Sequence, residues 1–361
     1  MIFQNISLHR DCPWSKNLGL SALLLLKQKC RRFGPLIYNP TVGLMIRSFF
    51  ERASYAGLRF ALEAGIFLVK VFPRSLLLSA SKSMADVGFY FFRGFRNRSI
   101  GNLSLALGDR WSQEEIGRTV QRSLRNFFRD IVELGIALGV SAEEIRREIP
   151  LSGREHLEGA LAKKKGVIVL SAHLGNFFLL GTRLAVEDYP LHVLINPPRD
   201  GSFRDLLNRY RLQTGQRTIY ARPRRQAFRE LVRVLRRNEL AIVIADEFRS
   251  GSGIYVPFFE RTVLARRGPA TLALRTGAAV VPVYLVRDPE GKLRMIIEPE
   301  LGLVRSGRVK ADVAENTVRI TQWLEKVVRS YPDQWNWMNI RWHETPLSER
   351  LEKEKRYERF A

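Results

Sequence analysis

The chain has 361 residues, a hydrophobic fraction of 45%, and 59 Lys and Arg residues against 36 Asp and Glu, which gives a net charge of +23. This composition excludes a disordered or low-complexity chain, and the positive charge indicates an anionic partner such as nucleic acid, an acidic membrane or an acidic protein. The sequence has no zinc-type histidine spacing, no nucleotide-binding glycine motif and no cysteine beyond Cys30, so no metal, cofactor or disulfide framework is expected.

The N-terminal part of the chain is predicted to be helical and to associate with a membrane. Residues 1–44 are basic and irregular, which is typical of a variable leader, and residues 45–150 form the predicted helical region. Within that region Tyr55–Phe72 is nearly apolar and carries its few charges on one narrow helical stripe. The pattern fits a tilted membrane span, an interfacial helix or a core helix of a bundle. Leu76–Phe95 extends the apolar run into a group of arginines, a combination that membrane interfaces favour.

An α/β domain is predicted to follow the helical region. Ser112 and Ser141 each begin a capping box and therefore predict a long helix and then a short one. Over residues 151–345 strands alternate with helices, which predicts a mixed β-sheet flanked by helices, and residues 346–361 form a charged tail. The predicted strands are Val167–Leu170, Leu191–Ile195, Thr218–Tyr220, Leu240–Ala245, Val280–Val286 and Leu293–Ile297.

A histidine follows the first long predicted strand. Small residues, His173, Gly175 and Asn176 come after Val167–Leu170, and a new apolar helix begins there. In an open α/β sheet, ligands bind beyond the carboxyl ends of the strands. His173 is therefore a candidate catalytic residue, and the alternative is a structural histidine held by hydrogen bonds.

Two carboxylates and two arginines are predicted at the same edge of the sheet. Asp246 and Glu247 come directly after the strand Leu240–Ala245. Arg266 and Arg267 precede the next helix, where free backbone N–H groups make an anion site. Two positive charges at a helix N-terminus are unfavourable unless an anion binds there, so this pair indicates an anionic ligand.

Two further segments each leave alternatives open. The helix predicted over Arg225–Arg237 has arginines on one face, which fits either a solvated face or contact with an acidic lipid or protein. Residues 333–342 contain three tryptophans, which fit an amphipathic cap over the domain or a belt at a membrane interface.

A series of motifs occurs along the chain. They are SAHLGNFF at 171–178, Asn208, Arg211 and Gly215, IADEF at 244–248, GIYVPFFER at 253–261, RRGPATLALRTGAAVVPVYLVRD at 266–288 and DQWNWMNIRW at 333–342. In this order they resemble the bacterial lipid A late acyltransferase family. The resemblance implies an O-acyltransferase on the cytoplasmic face of the bacterial inner membrane. Such an enzyme moves a fatty acyl chain from acyl carrier protein, or a related thioester, to a hydroxyl of a lipid A precursor or similar anionic glycolipid.

The resemblance also implies roles for individual residues. His173 would be the general base, with Gly175 and Asn176 shaping the oxyanion region. Phosphate groups of the substrates would be held by Arg211, Arg266 and Arg267. The family motif is His, four residues, then Asp or Glu, and here the acidic position is occupied by Phe178.

The substitution at Phe178 leaves three hypotheses. Asp246 or Glu247 replaces the missing acid, the enzyme is slow or uses an easier acceptor, or the chain is a silent homologue that binds lipid or acts in assembly. Binding to nucleic acid is not expected, because the sequence has no helix-turn-helix, zinc-finger or aromatic RNA-binding signature.

Overall fold

The computed structural model describes residues 55–57, 60, 63–65, 67–248 and 253–342, apart from the side chain of Asn339. The chain divides into two compact units, Met1–Phe60 and Ala61–Ala361, and in the first the described residues, 55–57 and 60, are helical. The predicted leader and tail lie outside the described residues, and so does part of Tyr55–Phe72. No helix in the described ranges is long and apolar enough to cross a membrane.

A group of helices precedes the sheet in the second unit. They are α1 (Arg74–Phe91), α2 (Arg93–Leu107), α3 (Gln113–Ala137) and α4 (Ala142–Glu148). The capping box at α3 is confirmed: Ser112 Oγ accepts a hydrogen bond from the Glu115 backbone at 3.2 Å, and the Glu115 carboxylate accepts one from the Ser112 backbone at 2.7 Å. Ser141 caps α4 through the Glu144 backbone N–H at 3.2 Å.

The predicted mixed α/β architecture is also confirmed. Its elements are β1 (Leu151–Ser152), α5 (Arg154–Leu161), β2 (Val167–Ser171), α6 (Phe177–Ala185), β3 (Leu191–Ile195), α7 (Gly201–Gln213), β4 (Gln216–Tyr220), α8 (Arg224–Arg236), β5 (Leu240–Ile244), β6 (Ile254–Phe258), β7 (Arg261–Ala265), α9 (Gly268–Thr276), β8 (Ala279–Arg287), β9 (Leu293–Ile297) and α10 (Val309–Ser330). Seven strands form one sheet in the order β1-β9-β8-β2-β5-β3-β4, in which only the β8–β9 pairing is antiparallel.

The apolar core lies on both faces of this sheet. Ile168 and Leu170 of β2 enter one buried cluster with α8, α9 and α10, whereas Val167 and Val169 enter a second cluster with α4, α5 and α6. Successive side chains of a strand point to opposite faces, so the central strands must be apolar throughout. This double burial explains why β2, β5 and β8 read as continuous apolar runs and were found from the sequence.

The hairpin of β6 and β7 was missed by the sequence prediction. Its two-residue turn, Phe259 and Glu260, has positive φ at both positions, 51° and 62°. Such turns are normally recognised by Asn or Gly, and neither residue is present here. The Phe259 backbone N–H is instead held by the Glu325 carboxylate of α10 at 2.7 Å, so tertiary contacts stabilise a turn that local sequence does not favour.

The tryptophan segment lies inside the protein. Trp335 and Trp337 are 1% and 0% exposed and contact Phe258 and Phe259 of the hairpin. A membrane-interface belt is therefore the wrong interpretation for these two residues, because their rings pack in the domain core. The alternative of a cap over the domain agrees with the structure.

Candidate active site

The register of two neighbouring strands brings a histidine and a carboxylate together. Ser171 at the end of β2 pairs with Ile244 at the end of β5. His173 and Asp246 each lie two residues beyond this pair, so they leave the sheet side by side. The His173 ring nitrogen Nδ1 is 2.8 Å from Asp246 Oδ1, and the His173 backbone N–H donates to Asp246 Oδ2 at 2.8 Å.

Asp246 is only 2% exposed and accepts three hydrogen bonds. The Trp335 indole donates to Oδ2 at 2.8 Å, in addition to the two bonds from His173. Burial by itself raises the pKa of Asp246, but the His173 charge and these hydrogen bonds outweigh burial and hold that pKa below its usual value. Asp246 is therefore a carboxylate that accepts the Nδ1 proton, and His173 Nε2 is the basic nitrogen of the ring.

Glu247, the other candidate acid, has different partners. Its carboxylate accepts a hydrogen bond from the Asn196 side chain at 3.1 Å and lies 3.7 Å from the Arg266 guanidinium. Glu247 therefore belongs to a cluster of polar side chains near the ends of β3 and β5. The structure contradicts a pairing of Glu247 with His173, because successive residues leave a strand in opposite directions.

Phe178 packs among aromatic rings. Its ring lies 4.1 Å from that of Phe177 and 6.1 Å from that of Phe127, as measured between centroids. Phe177 in turn meets the His173 ring edge to face at 4.9 Å. The position at which the resemblance implied an acid is thus part of an aromatic cluster, and the carboxylate that contacts the His173 ring follows β5.

The loop after His173 does not supply the expected oxyanion donors. The Gly175 and Asn176 backbone N–H groups donate to Gln334 O at 2.7 Å and Leu285 O at 2.8 Å. The Asn176 side-chain amide donates to Glu133 at 3.0 Å, and its oxygen caps α6. Both residues therefore have structural roles, and the N–H groups that were expected to shape the oxyanion region are bonded to other groups of the fold. Gly175 is required at φ 56°, where a Cβ would lie 2.0 Å from Leu285 O.

A buried ionic cluster supports this loop. The Arg287 guanidinium bonds both oxygens of Glu133, at 2.8 and 2.7 Å, and also bonds Asp130. Glu133 receives a further bond from Arg129 at 3.0 Å, besides the one from Asn176. Burial lowers the pKa of Arg287, but the two carboxylates outweigh burial and raise that pKa. Burial also raises the pKa of Asp130 to about 7, and the Arg287 charge opposes this rise. The cluster ties α3 to β8 and to the loop that carries His173.

The predicted anion-binding arginines are half-buried or exposed. Arg211 lies on α7, with a buried Nη1 that has no hydrogen-bond partner, and burial lowers its pKa while Tyr220 opposes that effect. Arg266 has a buried Nε without a partner, whereas Arg267 is exposed at the N-terminus of α9. Arg211 and Arg266 therefore each carry one unused N–H donor. The described residues include no group of three or more His, Cys, Asp or Glu side chains that could hold a metal ion.

His173 opens onto a cavity of about 630 Å³. Its walls are mainly apolar and aromatic. The aromatic lining residues are Phe91, Phe92, Phe95, Phe127, Phe128, Phe177 and Trp335. Cavities of this size and character hold flexible apolar ligands and orient them through a few polar groups. Here the polar groups include His173 and Asp130.

The sequence prediction missed several residues of this site. Trp335 was assigned to a cap or a belt, and nothing in its local pattern indicated a partner 89 positions earlier. Arg287 lies just beyond the predicted strand Val280–Val286, and no role was predicted for it or for Glu133. A charged residue at the end of a fully buried strand is the signal that a buried ion pair leaves in a sequence.

The profile of the family described as bacterial lipid A biosynthesis acyltransferase matches residues 48–344. The chain belongs to this family. The family predicted from the sequence motifs is thereby confirmed.

Individual relatives agree with this assignment at low identity. The lipid A biosynthesis palmitoleoyltransferase of Escherichia coli K12 is 25% identical over 259 residues, covering 70% of this chain and 81% of the relative. The lauroyltransferase of the same organism is 24% identical over 287 residues, covering 78% and 90%. A phosphatidylinositol mannoside acyltransferase of Mycolicibacterium smegmatis is 27% identical over 189 residues, covering 52% and 60%. These relatives indicate a lipid A or glycolipid acyltransferase.

Proposed function

We propose that this protein moves a fatty acyl chain from a thioester, such as acyl carrier protein, to a hydroxyl of a lipid A precursor or similar glycolipid. The observation that carries the proposal is the 2.8 Å contact between His173 and the buried Asp246. It supplies an oriented base at the wall of a large apolar cavity. A base and an apolar cavity are two of the parts that transfer of a fatty acyl chain to a hydroxyl requires.

In this mechanism His173 transfers one proton and Asp246 remains ionised. Nε2 of His173 removes the proton of the acceptor hydroxyl as its oxygen attacks the thioester carbonyl. Asp246 stabilises the imidazolium that forms. When the tetrahedral intermediate collapses, the carbon–sulfur bond breaks, and the thiolate takes the proton from the imidazolium. The products are an ester and a free thiol, and His173 is again neutral.

Charge and surface character support the choice of substrates. Arg211 and Arg266 each have an unpartnered buried N–H donor that suits an anionic group on donor or acceptor. Phe91, Phe92 and Phe127 line the cavity and are also exposed at the surface, at 79%, 51% and 38%. The cavity mouth is therefore continuous with an apolar surface. Other exposed apolar residues of this part are Phe67, Leu68, Val71, Phe72, Leu76, Met84, Val87 and Tyr90.

That apolar surface suits binding to a membrane. Arg93, Arg96 and Arg98 lie beside the exposed aromatic residues. Aromatic and cationic side chains together suit the interface of an anionic bilayer. The proposed location is the cytoplasmic face of the bacterial inner membrane, where an acyl chain can pass between the bilayer and the cavity without crossing water.

Replacing His173 with alanine should reduce acyl transfer to near background, because it removes the general base of the proposed mechanism and leaves Asp246 without the ring that it orients. The test supplies acyl carrier protein thioester to the purified protein in detergent, with a lipid A precursor or a phosphatidylinositol mannoside as acceptor. Acylated product is then measured by mass spectrometry. Equal product from wild type and His173→Ala would reject the proposed function and favour a silent lipid-binding homologue.

Replacing Phe178 with glutamate should not accelerate turnover, because Asp246 already holds Nδ1 of His173. The new carboxylate would instead enter the aromatic wall beside Phe127 and destabilise it. Phe178→Leu is the matched control, since it alters packing without adding charge. A kcat for Phe178→Glu above those of both wild type and Phe178→Leu would contradict the assignment of Asp246.

A further inference from the structure

The helix α8 carries a straight column of arginines. Arg225, Arg229, Arg233 and Arg236 follow each other at spacings of four, four and three residues, and all four are exposed. At 100° per residue they fall within one 80° sector of the helix, and the column is roughly 16 Å long at 1.5 Å per residue. The opposite face carries buried apolar residues.

The protein itself does not neutralise this column. Among the residues that the structure describes, none forms an ion pair with any of its four arginines, and Glu230 is the only acid of the helix. Arginines four residues apart repel each other, so the pattern costs helix stability. The helix dipole accounts for only part of the column. Arg233 and Arg236 stand in the last turn, where positive charge is favourable, but Arg225 stands in the first turn, where it is unfavourable.

The surface of α8 differs from the proposed membrane surface. Residues 222–237 include no exposed large apolar side chain, whereas residues 67–92 include many. A bilayer interface is favoured by apolar and cationic residues together. A column of arginines without exposed apolar neighbours instead suits a row of carboxylates. An acidic helix presents such a row at the same spacing.

The position of α8 also relates it to the active site. The helix connects β4 to β5, so its N-terminus lies at the carboxyl edge of the sheet, where His173 is found. The end of β4 is three strands from the end of β2, which is about 14 Å at the usual strand spacing. A partner bound along α8 could therefore deliver a tethered thioester to His173.

We propose that the arginine column of α8 is the docking surface for an acidic helix of the protein that carries the acyl thioester. The inference rests on the proposed function, since it concerns the donor of the same reaction. The bound partner leaves the apolar surface of residues 67–92 available for the membrane. Donor and acceptor thus approach the cavity over different surfaces of the protein.

The test compares two donors in the full-length protein. Arg229→Glu/Arg233→Glu should raise the KM for acyl carrier protein thioester roughly tenfold, with kcat for acyl-pantetheine, a small uncharged thioester, unchanged. The matched control is Arg308→Glu/Lys326→Glu, which makes the same charge change at exposed positions near and on α10. Added salt should raise the carrier-protein KM of wild type and leave that of the Arg229→Glu/Arg233→Glu variant nearly constant.

Three outcomes overturn the inference. One is an equal KM for the carrier protein in wild type and the α8 variant. Another is an equal rise in KM in the α8 variant and the control. The third is that the α8 variant loses binding to vesicles of anionic phospholipid while its KM for the carrier protein stays the same, which would assign α8 to the membrane. If neither donor is used by wild type, the proposed function fails instead.

Discussion

Replacing Asp246 with asparagine should lower kcat for acyl transfer roughly ten-thousandfold, the size of effect seen when a catalytic histidine loses its orienting carboxylate. Asparagine has the same shape but only one side-chain oxygen, while three N–H groups of His173 and Trp335 point at the present carboxylate. Its amide can favour the histidine tautomer with the proton on Nε2. That tautomer cannot accept the proton of the hydroxyl.

Glu247→Gln is the control for Asp246→Asn. It removes the adjacent carboxylate, which contacts Asn196 and Arg266 rather than His173, so its kcat should remain within about tenfold of wild type. Both variants are compared at saturating donor and acceptor, with near-ultraviolet circular dichroism to verify the fold. A larger loss of kcat in Glu247→Gln than in Asp246→Asn would mean that the wrong carboxylate has been assigned to the histidine.

Asp246→Asn should also change the stability of the protein in a pH-dependent way. Because the pKa of Asp246 is lowered in the folded protein, its charge adds stability at pH values above the unfolded pKa, and this contribution is lost as the pH falls through the folded pKa. Asp246→Asn lacks the contribution. The difference in unfolding free energy between wild type and variant should therefore be largest near neutral pH and shrink in acid.

Replacing Arg287 with methionine should destabilise the protein by roughly 3–5 kcal/mol, as is usual when one partner of a buried ion pair is removed. Methionine fills much of the volume but leaves the carboxylates of Asp130 and Glu133 buried, with Arg129 as the remaining cation. Urea unfolding followed by tryptophan fluorescence measures the loss. The matched control is Arg294→Met on β9, an exposed arginine, which should change the unfolding free energy by less than about 0.5 kcal/mol.

The loss of unfolding free energy in Arg287→Met should depend on pH, and its direction can be stated. The pKa of Asp130 is already raised to about 7, and removal of Arg287, whose charge lowers it, raises it further. A carboxyl group with a raised folded pKa favours the folded state below its unfolded pKa, and the benefit is lost as the pH rises through the folded pKa. The destabilisation should therefore be larger at pH 8 than at pH 5. The reverse order would show that the two acids are not held by Arg287.

The strands that carry the site could be predicted from sequence because they are buried on both faces. Double burial makes β2, β5 and β8 apolar without interruption, and the residue that ends each run marks the edge of the sheet. His173 and Asp246 were found in this way. The choice between Asp246 and Glu247 could not be made, since it depends on the register of β2 against β5, which no local pattern encodes.

Long-range contacts explain the remaining differences between the predicted site and the site in the structure. The donor groups around Gly175 and Asn176 were assigned to the oxyanion region on the basis of the family resemblance. In the structure those groups are occupied by Gln334, Leu285 and Glu133, which come from elements far away in the sequence. Such pairings depend on the packing of α3 and of the C-terminal segment against the sheet, so they become visible only in three dimensions.

The hydrogen bond from Trp335 to Asp246 makes the site depend on the C-terminal segment of the described chain. The indole is made 89 residues after the carboxylate that it holds. A chain that ends before Trp335 contains every strand of the sheet in its sequence but lacks one donor to the buried acid and one ring of the cavity beside His173. A variant truncated before Trp335 should therefore hold Asp246 less firmly and show weaker acyl transfer than the full chain.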